Sequence, residues 1–160
     1  MSKTLIAYFS ASGVTELVAK VLADEAKADL YSIRPAEPYT EADLNWQDKN
    51  SRSSKEMRDK NSRPALADKG ANIQEYDTVF LGFPIWWYVA PTIINTFLES
   101  YDFSGKTIIL FATSGGSGFG QTVQTLKRSV DSSAVIQEGR VFGGRLNETA
   151  IRDWISKIVL

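Results

Sequence analysis

Residues Ser10-Ala11-Ser12-Gly13-Val14-Thr15 place three hydroxyls and one glycine between an apolar run and an amphipathic one. The run before them, Thr4-Leu5-Ile6-Ala7-Tyr8-Phe9, is short, β-branched and aromatic, the composition of a buried strand. After them Val14, Leu17, Val18, Val21 and Leu22 recur at helical spacing and predict one apolar helix face. The hydroxyl loop thus falls where a helix presents its unpaired N–H groups and the positive end of its dipole, which is an anion site. Ser10, Ser12 and Thr15 add neutral donors, and Gly13 lets the backbone approach closely. No Lys or Arg lies in the loop. That suits a phosphate held by dipoles and hydrogen bonds, not one undergoing transfer. A serine N-cap on an ordinary helix has the same local pattern, so this loop alone leaves both open.

Two other loops have unusual composition. Gly82-Phe83-Pro84-Ile85-Trp86-Trp87-Tyr88-Val89-Ala90-Pro91 sets three large aromatics in a row at a strand end. They cannot all bury inward while the chain turns, so at least one is expected to face a ligand or a partner. A flat conjugated ring suits a Trp face, with stacking of roughly 0.5–1.5 kcal/mol beyond area burial. The alternative for any one Trp is a ring capping the core. The third loop, Thr113-Ser114-Gly115-Gly116-Ser117-Gly118-Phe119-Gly120, approaches a P-loop, but Gln121 stands where the phosphate-reaching lysine belongs. Nor does it fit the dinucleotide fingerprint, since Gln121 replaces the third glycine. Such a loop can instead lay backbone N–H groups along the polar edge of a ring.

The elements that carry these loops alternate. Strands are predicted at Thr4–Phe9, Ala28–Ile33, Thr78–Phe83, Thr107–Ala112 and Val135–Phe142. Helices are predicted after Gly13, from about Asp43 to Lys60, over Pro91–Glu99, over Gln121–Val130 and after Asn147. In the last of these Ile151, Trp154, Ile155 and Ile158 take core spacing, so Trp154 reads as packing. Lys49, Arg52, Lys55 and Arg58 recur every three residues among Asp48, Glu56 and Asp59, the pattern of a solvated helix face. Alternation of this kind implies a parallel sheet covered on both faces, with ligands beyond the carboxyl ends of strands.

Composition narrows the chemistry. The chain has 160 residues, expected to form a single domain, with 18 Lys and Arg against 19 Asp and Glu. A net charge of −1 gives no electrostatic case for nucleic acid or an anionic membrane. Without Cys or His there is no thiolate nucleophile, no cysteine metal site and no imidazole base. Redox chemistry here needs a bound cofactor. No signal peptide and no membrane-length apolar run is seen, so a cytoplasmic location is expected.

Together the three loops resemble the flavodoxin-like family over essentially the whole chain. Ser10-Ala11-Ser12-Gly13-Val14-Thr15 is similar to its phosphate loop, [ST]-x-[ST]-G-x-T. Pro84-Ile85-Trp86-Trp87, Phe97-Leu98-Glu99, Asp102-Phe103-Ser104-Gly105-Lys106-Thr107 and Thr113-Ser114-Gly115-Gly116-Ser117 resemble one single-domain branch. The resemblance implies a doubly wound five-stranded parallel α/β sheet of order 2-1-3-4-5, helices on both faces, and bound FMN. It assigns the phosphate to Ser10, Ser12 and Thr15 with the N–H groups of Ala11, Gly13 and Val14. It sets Pro84, Ile85, Trp86 and Trp87 along the isoalloxazine, with Tyr88 a further candidate for stacking. Thr113, Ser114, Gly115, Gly116 and Ser117 would approach the pyrimidine edge and the ribityl chain.

The function implied is that of an FMN-binding redox protein, either an electron carrier or a small FMN-dependent reductase. Its partner would be a redox protein or a small electron donor or acceptor. A cofactor-free binding or regulatory module on the same fold is the alternative; a phosphate-utilising hydrolase lacks a nucleophile–base pair. A homodimer and the role of Trp46 stay open. Electron-carrier flavodoxins are usually strongly acidic, and this chain is nearly neutral. They also often have a glycine in the turn beside the flavin, and Ile85-Trp86-Trp87-Tyr88 has none. A positive φ in that turn is therefore expected to be disfavoured, and with it one-electron transfer.

Overall fold

The computed structural model of the chain describes residues 3–11, 13–59, 61–114, 118–143 and 146–158. Five strands, β1 (Thr4–Tyr8), β2 (Asp29–Ser32), β3 (Thr78–Pro84), β4 (Thr107–Ser114) and β5 (Val135–Gly143), form one sheet in the order β2-β1-β3-β4-β5. Every pairing is parallel. The helices are α1 (Val14–Ala26), α2 (Arg52–Arg58), α3 (Thr92–Glu99), α4 (Thr122–Lys127) and α5 (Glu148–Ser156).

Side chains alternate along a strand, so a sheet covered on both faces divides its apolar residues between two cores. Leu5, Ala7, Val79, Leu81, Phe83, Ile108 and Leu110 enter one, with Ile93, Ile94 and Phe97 of α3 and Leu126 of α4. Ile6, Tyr8, Phe80, Ile109 and Phe111 enter the other, with Val18 and Leu22 of α1 and Ile151 and Ile155 of α5. Trp154 meets Phe80 and Phe142 edge-on in that second core, at 5.8 and 5.7 Å between ring centres. The doubly wound α/β sheet predicted from the sequence is present.

Four local expectations change. The apolar face of α1 is rotated: Thr15, Val18, Ala19, Leu22 and Ala23 are buried, while Val14 and Leu17 are 41% and 58% exposed. Counting only large apolar residues missed the small ones, Ala19 and Ala23, that let a helix sit close to a sheet. Ile158, read at core spacing, is likewise exposed. The helix predicted from Asp43 begins only at Arg52. Before it the Asn45 and Asp48 side chains accept from the N–H groups of Gln47 and Asn50, at 3.1 and 2.9 Å. Such bonds hold the backbone in turns that compete with helix. Ser51 then caps α2 by accepting from the Ser54 N–H. Finally, Arg52 leaves the solvated face: its guanidinium lies 3.9 Å over the Tyr39 ring and its Nε is 2.9 Å from Glu56.

Candidate functional site

β1 and β3 are neighbours at the centre of the sheet, and the chain leaves them toward opposite edges. Their carboxyl ends mark the topological switch point, where the connections part and leave a crevice. Tyr8 pairs with Gly82, and the Phe9 N–H donates to the Gly82 carbonyl at 2.9 Å. The two loops that follow therefore start level with each other.

In the first loop the Ser10 Oγ accepts from the Gly13 N–H at 3.0 Å and the Glu16 N–H at 3.2 Å. Gly13 takes φ +93°, a region glycine enters without a Cβ penalty. The Val14 and Thr15 amides open α1 and have no intrahelical acceptor. Val14 is exposed and Ala11 half-buried. Thr15 is buried, its hydroxyl 2.8 Å from that of Thr113, which ties the first turn of α1 to the end of β4. Glu16, in the same turn, is paired with Lys20 at 3.2 Å. Ser12 lies outside the described residues.

The aromatic loop is a two-residue hairpin. Trp86 and Val89 exchange both backbone bonds, at 2.9 and 3.1 Å. Trp87 and Tyr88 between them adopt φ +50° and +66°, the signs a type I′ turn needs at both central residues. The sequence expectation is overturned here: a turn without glycine does hold positive φ, at a cost of about 1–2 kcal/mol per residue. Neighbours enforce it. The Gln121 N–H donates to the Tyr88 carbonyl at 3.2 Å, and Gly120, at φ +56°, packs so closely that a Cβ there would lie 2.4 Å from that oxygen. The Ile85 N–H donates to the Thr113 carbonyl at 2.9 Å. Thr113 is buried and Ser114 half-buried at the end of β4. Gly115, Gly116 and Ser117 lie outside the described residues.

A cavity of about 550 Å³ opens between Ala11, Pro84 and Ile85 and the rings of Trp46, Trp86, Trp87 and Tyr88. A second, of about 410 Å³, reaches Ser10 and Ala11 from the side of Arg34 and Tyr39. The three aromatics divide as geometry requires. Trp86 is half-buried, edge-on to Phe9 and Tyr39 at 6.0 and 5.6 Å, and forms a wall. Trp87 and Tyr88 are 44% and 64% exposed and carry the faces open to a ligand. Leu44 and Ser53 also line the larger cavity, and sequence reasoning missed both. Two apolar residues, Leu44 and Trp46, in an otherwise polar stretch were the available signal.

Tyr39 supports this wall. Its hydroxyl donates to Glu56, and burial, then that bond, pushes its pKa well above the usual tyrosine value. Since folding raises this pKa, the contribution to stability is complete below the unfolded value of about 10 and is lost as pH rises through the folded one. Tyr39→Phe is expected to lower the unfolding free energy at pH 7 by about 0.5–1.5 kcal/mol. Urea unfolding at a series of pH values should show the gap narrowing above about pH 10; a constant gap would mean that the hydroxyl is not held as described.

Among the described residues no helix is long and apolar enough to cross a membrane. No curated protein matches the chain. Solved structures do. A Bacteroides eggerthii protein, provisionally assigned as a flavoprotein, is 49% identical with a TM-score of 0.89, covering 100% of this chain and 99% of its own. A Bacteroides uniformis protein with the same provisional assignment is 48% identical with a TM-score of 0.90, covering 97% and 98%. A Lactobacillus acidophilus flavoprotein, solved in complex with FMN, shares the fold at 20% identity and a TM-score of 0.69, covering 96% and 99%. The family model described as Flavodoxin matches residues 3–158. With its sheet order, switch-point crevice and phosphate-loop sequence, the chain belongs to the flavodoxin family.

Proposed function

We propose that the crevice binds FMN and that the protein is a small FMN-dependent oxidoreductase exchanging electrons with a small molecule. The observation that carries this is the 550 Å³ cavity at the switch point, aromatic on its walls and reaching Ala11 beside the start of α1. That volume is within the range of about 300–1,000 Å³ usual for small-molecule sites. The residues fit the two ends of FMN. First-turn amides and the Ser10 hydroxyl suit a phosphate, and exposed indole and phenol faces suit a flat ring. Bound FMN would supply the redox chemistry, and the protein's residues hold its phosphate, wall its ring and limit water. A small-molecule partner is favoured over a basic protein partner because the chain lacks a strong net charge, and because Lys49 and Arg58 line a smaller cavity that adjoins this one at Trp46 and Trp87. The preference for paired electrons has no support from the turn, whose positive φ angles are already in place.

The purified protein is expected to bind FMN at least tenfold more tightly than riboflavin in a fluorescence titration. Hydrogen bonds to a charged group contribute about 1.5–3 kcal/mol each, and 1.4 kcal/mol is already tenfold. Equal affinity for the two flavins would overturn the reading and favour a cofactor-free module.

A further inference from the structure

Beside the crevice proposed for FMN, and sharing Trp46 and Trp87 with it, is a cavity of about 290 Å³. Ser54, Met57, Lys49 and Arg58 complete its lining. Among the described residues its charged lining is of one sign, two cations and no carboxylate. The acidic side chains next in sequence to Lys49 and Arg58, and Glu56 on the same helix, are engaged locally. Asp48 and Asp59 accept from the Asn50 and Asn61 N–H groups, and Glu56 is engaged by Arg52 and Tyr39. Arg58 is placed by a bond to the Lys49 carbonyl, which holds the 45–51 segment against α2. That bond uses one guanidinium nitrogen and leaves the others for a second acceptor. Neither cation forms an ion pair among the described residues.

Two indoles and a thioether make a surface for a planar aromatic ring, and two cations in the same lining select for an anionic substituent. We propose that this cavity binds a planar aromatic anion, its ring against Trp46 and Trp87 and its charged group between Lys49 and Arg58. Resting on the FMN reading, this names the class of molecule that the flavin would serve, because the shared indoles put its ring next to the flavin crevice. Lys49, Met57 and Arg58 lie outside the three loops that hold the flavin, so the two functions can be separated by mutation.

The probe pair is naphthalene-2-sulfonate and naphthalene-2-sulfonamide, alike in their rings, unlike in charge and inert to redox. In calorimetric titration of the FMN-loaded protein at low salt, the sulfonate is expected to bind at least tenfold tighter than the sulfonamide. That advantage should shrink as salt screens the cations. Lys49→Gln and Arg58→Gln should each weaken the sulfonate severalfold and leave the sulfonamide unchanged, with flavin absorbance reporting that the crevice is intact. Equal affinity for the two compounds, or variants that bind the sulfonate like the parent, would overturn the proposal while the FMN reading stands. A protein that takes up no FMN fails the earlier reading instead. The same titrations on the apoprotein, with the same two variants, then decide this one.

Discussion

Gly120→Ala is expected to lower FMN affinity by roughly a hundredfold, which corresponds to about 2.7 kcal/mol. Two effects combine. Alanine at φ +56° carries a backbone penalty of about 1–2 kcal/mol. Its Cβ would also sit 2.4 Å from the Tyr88 carbonyl oxygen and 2.8 Å from the Tyr88 Cβ. A backbone oxygen cannot swing aside as a side-chain tip can, so the Trp87–Tyr88 turn must move and the Gln121 bond to it must break. The substitution lies in a loop that need not touch the phosphate, which makes it a clean test of the turn. Flavin fluorescence titration measures it. An affinity within threefold of the parent would remove the turn from the site.

The largest effect on stability is expected from Phe97→Ala. Phe97 is fully buried, with the rings of Tyr101, Phe103 and Tyr31 at 5.2, 5.9 and 6.1 Å. Truncating a buried Phe costs about 3–5 kcal/mol, because the aromatic neighbours cannot collapse into the space. For a chain of this size, each kcal/mol lowers the midpoint by about 2–4 °C, so melting should fall by roughly 6–20 °C. Thermal denaturation followed by circular dichroism measures the loss, and FMN binding well below the midpoint should persist. A drop under about 3 °C would contradict the packing around Phe97.

The sheet was legible because burial on both faces forces near-continuous apolar runs, and Thr4–Phe9, Thr78–Phe83 and Thr107–Ala112 are such runs. Helix faces were less so. In α1 the stripe of Val14, Leu17 and Val21 competes with one built on Thr15, Ala19 and Ala23, and only packing against the sheet and α5 decides between them. The helix expected from Asp43 does not form over 43–51, because Asn45 and Asp48 bond to backbone groups two residues on and win locally. The position of the site was readable from three loops at strand ends. Its internal geometry was not. Nothing in the types of Trp87 and Tyr88 announces positive φ, since aromatic residues seldom adopt it; Val89, Gly120 and Gln121 impose it from outside. Arg52 looked like surface charge because its partner, Tyr39, is distant in sequence.

The placement of the four tryptophans has an optical consequence. Trp46, Trp86 and Trp87 border the crevice, whereas Trp154 lies on the opposite face of the sheet between Phe80 and Phe142. The protein thus carries two sets of built-in fluorophores separated by the sheet itself. Emission from the first set answers to what occupies the crevice, while Trp154 answers to whether α5 is docked. A ligand arriving at the site and a chain coming apart should therefore leave different spectra in the same cuvette.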